Sequence, residues 1–177
     1  VAQAAATLAT LYPGRTWLGV GSGEALNEHI VGDYWPEPAE RIDRMFEAVD
    51  LIRKLFTASL AGRDARHRGE HFRMESTRLW TMPPTAPPVY VATAGPATAR
   101  RAGRNADGLI TTSAEVERLA PLLARFAEGA REAGHDPERL PKVLQLRLSW
   151  APTEEQALTN ALTEWPIAGL RMRRGDV

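Results

Sequence analysis

The chain has 177 residues, 44% of them hydrophobic and 25% charged, which is the balance of one globular domain with an apolar core. Lys+Arg 22 offset Asp+Glu 22, so there is no electrostatic footprint for nucleic acid or an anionic membrane, and no stretch is apolar enough to cross a bilayer. With Cys 0, disulfides and thiolate metal sites are excluded, and a cytoplasmic location is expected.

In chain order, the Ala/Leu-rich run from Val1 to Leu11 predicts a helix with no N-cap ahead of it. It has no initiator Met, and Arg171 to Val177 closes on no recognisable element, so the chain reads as an internal piece of a longer one. Tyr12-Pro13-Gly14-Arg15 is a turn. Thr16 to Gly21 is a short, continuously apolar strand of the kind buried in a parallel sheet. Beyond a loop rich in Gly, Trp and Pro (32–38), Ile42, Met45, Phe46, Val49, Ile52, Leu55 and Phe56 predict an amphipathic helix from Glu40 to about Thr57.

Arg63 to Trp80 is polar with Gly69 at a turn, the pattern of a small hairpin outside the core. Pro83 to Pro88 is a rigid connector into a second strand, Val89 to Thr93, and Gly95-Pro96 opens a short helix through Arg104. Asp107-Gly108 leads into a third strand, Leu109 to Thr111. A helix from Glu115 to Ala133 is stopped by Gly134. Val143 to Trp150 predicts a fourth strand, and Thr153-Glu154-Glu155-Gln156 a capping box for a last helix. Strict alternation of strand and helix means a parallel α/β sheet covered by helices, either doubly wound or closed into a barrel.

In both architectures ligands bind beyond the carboxyl ends of the strands. The first such end is Gly19-Val20-Gly21-Ser22-Gly23-Glu24-Ala25-Leu26-Asn27-Glu28. Its glycines let backbone approach a ligand, but Glu24 occupies the place of the last glycine of a dinucleotide fingerprint, and a carboxylate there repels pyrophosphate. Glu24 suits proton transfer or a hydrogen bond to a ring; a tight turn with a solvated Glu24 is the competing reading. At the second end, Ala94-Gly95-Pro96-Ala97-Thr98, free amides at a helix start form a natural anion site, although plain helix initiation explains the same residues. At the third, Thr111-Thr112-Ser113 offers hydroxyls, while Thr112 to Glu115 also reads as a capping box. The four histidines show no metal-ligand pattern, and neither a nucleophile elbow nor a P-loop is present.

Together these segments resemble the F(420)-dependent glucose-6-phosphate dehydrogenase group of the luciferase-like superfamily. The likeness rests on Tyr12 to Arg15, Leu18 to Glu28, Pro88 to Ala92, Gly95-Pro96, Ala102 to Arg104 and Asp107-Gly108, and it runs to about Trp165. It implies a (β/α)8 barrel with a deazaflavin at its C-terminal face, of which residues 1–177 would be a partial domain holding roughly strands four to seven. A preceding portion would carry an Asp and the catalytic His of the family.

By resemblance, Glu24 is the catalytic carboxylate that handles a proton near the ring. Ser22, Gly23, Asn27, Ala94, Gly95, Ala97 and Thr98 are cofactor contacts, and Thr112 binds the substrate phosphate. Glu115 stands where the sugar-phosphate enzyme has a lysine, which disfavours glucose 6-phosphate. The expected function is hydride transfer between a substrate alcohol or carbonyl and coenzyme F(420), in a homodimer acting on a small molecule. An FMN-dependent luciferase-like monooxygenase or reductase and a noncatalytic phosphate-binding module are the alternatives. As an isolated piece the chain is expected to be inactive.

Overall fold

The computed structural model describes residues 1–32 and 34–164, so the readings of Trp165 and of Arg171 to Val177 fall outside the described residues. In chain order the elements are α1 (Ala2–Leu11), β1 (Leu18–Val20), α2 (Ala25–Glu28), α3 (Pro38–Leu60), β2 (Ala65–Arg68), β3 (Arg73–Thr77), β4 (Val89–Ala92), α4 (Pro96–Asn105), β5 (Gly108–Thr111), α5 (Val116–Glu132), β6 (Lys142–Leu144) and α6 (Glu154–Glu164). Single 3-10 turns lie at His29–Val31 and Pro137–Arg139. The chain divides into two compact units, Val1–Ser22 with Pro36–Leu144, and Gly23–Trp35 with Gln145–Val177.

In the first unit β1, β4, β5 and β6 form one parallel sheet in that spatial order. Each strand is laid beside its predecessor on the same side, which is the winding of a (β/α) barrel; a doubly wound sheet reverses direction at a switch point. The helices form a single layer, α1 against α3, α3 against α4, and α4 against α5. The first unit is therefore part of a parallel α/β barrel, a choice that alternation of elements alone leaves open.

The core lies between that layer and one face of the sheet. Met45, Phe46, Val49, Ile52 and Phe56 of α3 meet Val89 and Val91 of β4, Leu109 of β5, Ala99 and Ala102 of α4, and Leu122 and Phe126 of α5. Alternate strand residues point the same way, as the pleat requires. Each fully buried Phe ring contributes about 2 kcal/mol. On the opposite face Tyr90 stacks on Trp17, with centroids 5.0 Å apart and planes 19° apart.

One device ties the helices of this layer together and another ties the layer to the sheet. First, α4 and α5 cross at glycines: a Cβ on Gly129 would sit 1.8 Å from the Arg100 carbonyl oxygen, and one on Gly103 would sit 2.1 Å from that of Phe126. Around the crossing Arg104 Nε donates to Glu132 Oε2 at 2.5 Å, and Arg100 Nε donates to Glu132 Oε1 at 3.0 Å. The Arg100 bond, then that from Arg104, holds the Glu132 carboxyl below its ordinary value. Second, the amino ends of the strands are pinned. Asp107 accepts from the Val89 amide at 2.9 Å and pairs with Arg53 at 3.1 Å, while Arg53 also donates to the Asn105 carbonyl at 2.6 Å.

The hairpin expected between Arg63 and Trp80 is β2 and β3, antiparallel with a bulge between Ala65 and His67. The strand expected from Val143 to Trp150 is shorter. It ends at Leu144, which the register pairs with Thr111, the last residue of β5. Leu146, Leu148 and Trp150 lie exposed instead, the last two at 86% and 80%. The capping box at Thr112 does not form. Thr111 Oγ1 accepts from the Ser113 amide at 3.2 Å, and α5 starts later, with Glu115 as its N-cap. The cap at Thr153 does form: its Oγ1 accepts from the Gln156 amide at 3.2 Å.

Candidate functional site

Parallel pairing brings the carboxyl ends of β1, β4 and β5 to one edge of the first unit's sheet, with Val20 in register with Val91 and Val91 with Leu109. Ser22, Ala94, Gly95, Ala97, Thr98 and Thr112 all follow those ends. Sequence-predicted contacts are thus gathered on one edge, the edge where this fold class places its ligands.

Short side chains dominate here for local reasons. Pro96 occupies the first turn of α4 and Gly95 is its N-cap, with extended backbone at φ −97 and ψ 127. The Gly95 amide donates to Thr93 Oγ1 at 3.0 Å. The amides of Ala97 and Thr98 belong to the first turn, where no helix carbonyl accepts them. No acidic side chain stands in that turn, so its positive dipole end is uncompensated. Ser22 offers its carbonyl to Arg41 Nη1 at 3.4 Å. Thr112 is exposed. Glu115, 67% exposed, pairs with Arg118 at 2.9 Å, one helical turn on.

Gly23, Glu24 and Asn27 belong to the second unit. Gly23 has φ +83, a left-handed turn that favours glycine. Glu24 is the extended N-cap of α2, and its carbonyl accepts from the amides of Asn27 at 3.1 Å and Glu28 at 3.0 Å. Asn27 Nδ2 donates to Glu24 Oε2 at 2.8 Å, and the Glu24 amide donates to Glu28 Oε1 at 3.2 Å. All three polar side chains are exposed. The contacts of Asn27 and Glu28 with Glu24 went unread in the sequence, although their spacings of three and four residues on a helical turn are the ones that place side chains together.

Sequence reasoning also passed over Glu47. From α3 it accepts from His67 Nε2 and from the amides of His71 and Phe72, each at 2.9 Å. Those bonds, that of His67 first, outweigh burial and hold its carboxyl at about 2. The His67 ring is thus a hairpin anchor, while His71 takes part through its backbone amide alone. Among the described residues no group of three or more His, Cys, Asp or Glu has the geometry to hold a metal ion.

The family profile described as luciferase-like monooxygenase matches residues 1–175, and the chain belongs to that family. Curated relatives named F(420)-dependent glucose-6-phosphate dehydrogenase include those of Mycolicibacterium fortuitum, 40% identical over 95% of this chain and 50% of the relative, and Segniliparus rotundus, 42% identical over the same shares. The chain thus spans about half the length of these relatives. Among solved structures, an F(420)-dependent secondary alcohol dehydrogenase in complex with an F(420)-acetone adduct is 36% identical, with a TM-score of 0.84 over 93% of this chain and 49% of that one. The coenzyme F(420)-dependent tetrahydromethanopterin reductase of Methanopyrus kandleri, 18% identical with a TM-score of 0.80, shares the fold.

Proposed function

We propose that the protein carrying this chain is an F(420)-dependent oxidoreductase that moves a hydride between a substrate alcohol or carbonyl carbon and the deazaflavin. The carrying observation is the row of Ser22, Ala94, Gly95 and the open first turn of α4 along the ligand-binding edge, in a chain about 40% identical to F(420)-dependent enzymes. The fit to such a cofactor is favourable. Ala94, Gly95 and Ala97 present no side chain beyond Cβ, which lets a flat ring system lie against backbone, and the amides of Ala97 and Thr98 suit an anionic group. When bound, the deazaflavin would supply the hydride-accepting carbon; the chain supplies position and proton handling. Glu24, exposed and oriented by its own turn, is the carboxylate assigned to the proton.

The substrate proposed is an unphosphorylated alcohol or carbonyl compound. Glu115 supports this reading, because a carboxylate next to Thr112 opposes a phosphate dianion, and Arg118 is engaged by Glu115 itself. The test uses the full-length protein purified with its retained cofactor. A deazaflavin absorbance, together with weak turnover of glucose 6-phosphate that rises roughly tenfold or more in Glu115→Lys, is expected. A flavin spectrum would instead support an FMN-dependent enzyme. Efficient parental turnover of the sugar phosphate, with no gain from lysine, would overturn the substrate assignment.

A further inference from the structure

The bonding around Glu24 is more specific than a turn needs. Its carbonyl is held by two amides, its own amide by the Glu28 carboxylate, and one of its two carboxylate oxygens by the Asn27 side chain. Glu28 reaches back across Gly23: a Cβ there would lie 2.3 Å from Glu28 Oε1, so glycine at this position is what lets that carboxylate lie against the chain. Oε1 of Glu24 has no bonded partner among the described residues.

We propose that Asn27 is a positioning residue for the Glu24 carboxylate, with Glu28 fixing the backbone beneath it, so that Oε1 of Glu24 is the oxygen presented for proton exchange. This rests on the reading of Glu24 as the proton-handling group. A glutamate carries three side-chain torsions, and an exposed one samples many orientations; a donor from the next helical turn selects among them. Asn suits the task because its amide is a neutral donor that neither takes nor releases the proton being moved. The bond to Glu24 occupies one donor of Asn27 and leaves its second N–H and Oδ1 for the cofactor contact that the resemblance implies.

The test compares full-length enzyme carrying Asn27→Ala, Asn27→Asp, Glu24→Ala and the double variant Glu24→Ala/Asn27→Ala. Asn27→Ala is expected to lower kcat roughly tenfold or more, an effect larger than any rise in cofactor Kd. Asn27→Asp, which sets a second carboxylate where the donor was, should lower kcat further. In the Glu24→Ala background, replacing Asn27 should have no added effect on kcat, because the residue acts through a group already removed. Independently of turnover, the Asn27 side-chain amide resonances of cofactor-free enzyme should move on Glu24→Ala with the unfolding temperature unchanged. A raised cofactor Kd with kcat intact, an undiminished Asn27 effect without Glu24, or an unmoved amide resonance would each overturn the proposal. If Glu24→Ala alone keeps parental kcat, the proton role of Glu24 falls and this assignment with it, even where the resonances report the contact.

Discussion

The two ends of the parallel strands are built from different materials. At the amino ends, charged side chains reach across elements: Asp107 holds the Val89 amide and Arg53, and Arg53 holds the end of α4. At the carboxyl ends stand the short residues Ser22, Ala94, Gly95 and Thr112, where the Gly95 amide and the Ser113 amide bond two residues back and Arg41 reaches Ser22. Long-range ties secure one end, and the other is the edge of the proposed ligand site. With the site as proposed, stability and function fall on opposite edges of one sheet, and a substitution should report which edge it touches.

The hardest break of that division lies in the helix layer. Gly129→Val places side-chain atoms inside the space held by the Arg100 carbonyl, and neither backbone can move without parting α4 from α5. A loss of about 3 kcal/mol in unfolding free energy of the full-length protein is expected, checked by chemical denaturation. A value within 0.5 kcal/mol of the parent would show that the helices do not meet as described.

Glu47 gives a smaller effect with a pH signature. Its carboxyl is lowered from 4.5 to about 2 in the folded chain. A depressed carboxyl stabilises the fold above its unfolded value, and that contribution is lost as pH falls through the folded value. The stability gap between parent and Glu47→Gln should therefore narrow as pH falls from 4.5 to about 2. Unfolding curves over that range decide it. A gap that widens on acidification would contradict the bonding at the hairpin. Smallest of all, Ser22→Ala and Thr112→Ala at the open edge should change stability by no more than about 0.5 kcal/mol, while raising cofactor Kd and substrate KM respectively. Thermal unfolding beside ligand titration measures both.

Much of this fold was legible because its signals are local. Helical spacing from Ile42 to Phe56 found α3, and the structure extends it to Pro38–Leu60 because proline suits the first turn. Gly69 marked the hairpin and Asp107-Gly108 the start of β5. What escaped depends on partners distant in sequence. Alternating Leu144, Leu146, Leu148 and Trp150 predict a strand, yet strand length is set by the neighbour, and β5 ends at Thr111. Thr112 to Glu115 satisfies the capping spacing, but Thr111 takes the Ser113 amide and Arg118 takes the Glu115 carboxylate. Glu47 meets residues 20 to 25 positions away, beyond the reach of any periodicity. Within the site, residue types were readable at every strand end, whereas the orientation of Glu24 needed coordinates.

The glycine crossing of α4 and α5 has a mechanical meaning as well. Each helix follows a strand of the parallel sheet, α4 after β4 and α5 after β5. Backbone in contact with backbone leaves almost no play between them, in contrast to a pair spaced by flexible side chains. The contact falls toward the carboxyl ends of both helices, so their separation there is set by main chain alone, as a rigid spacer sets the opening of a jaw. Lengthening that spacer by one methyl group at Gly129 would force the two main chains apart at their crossing.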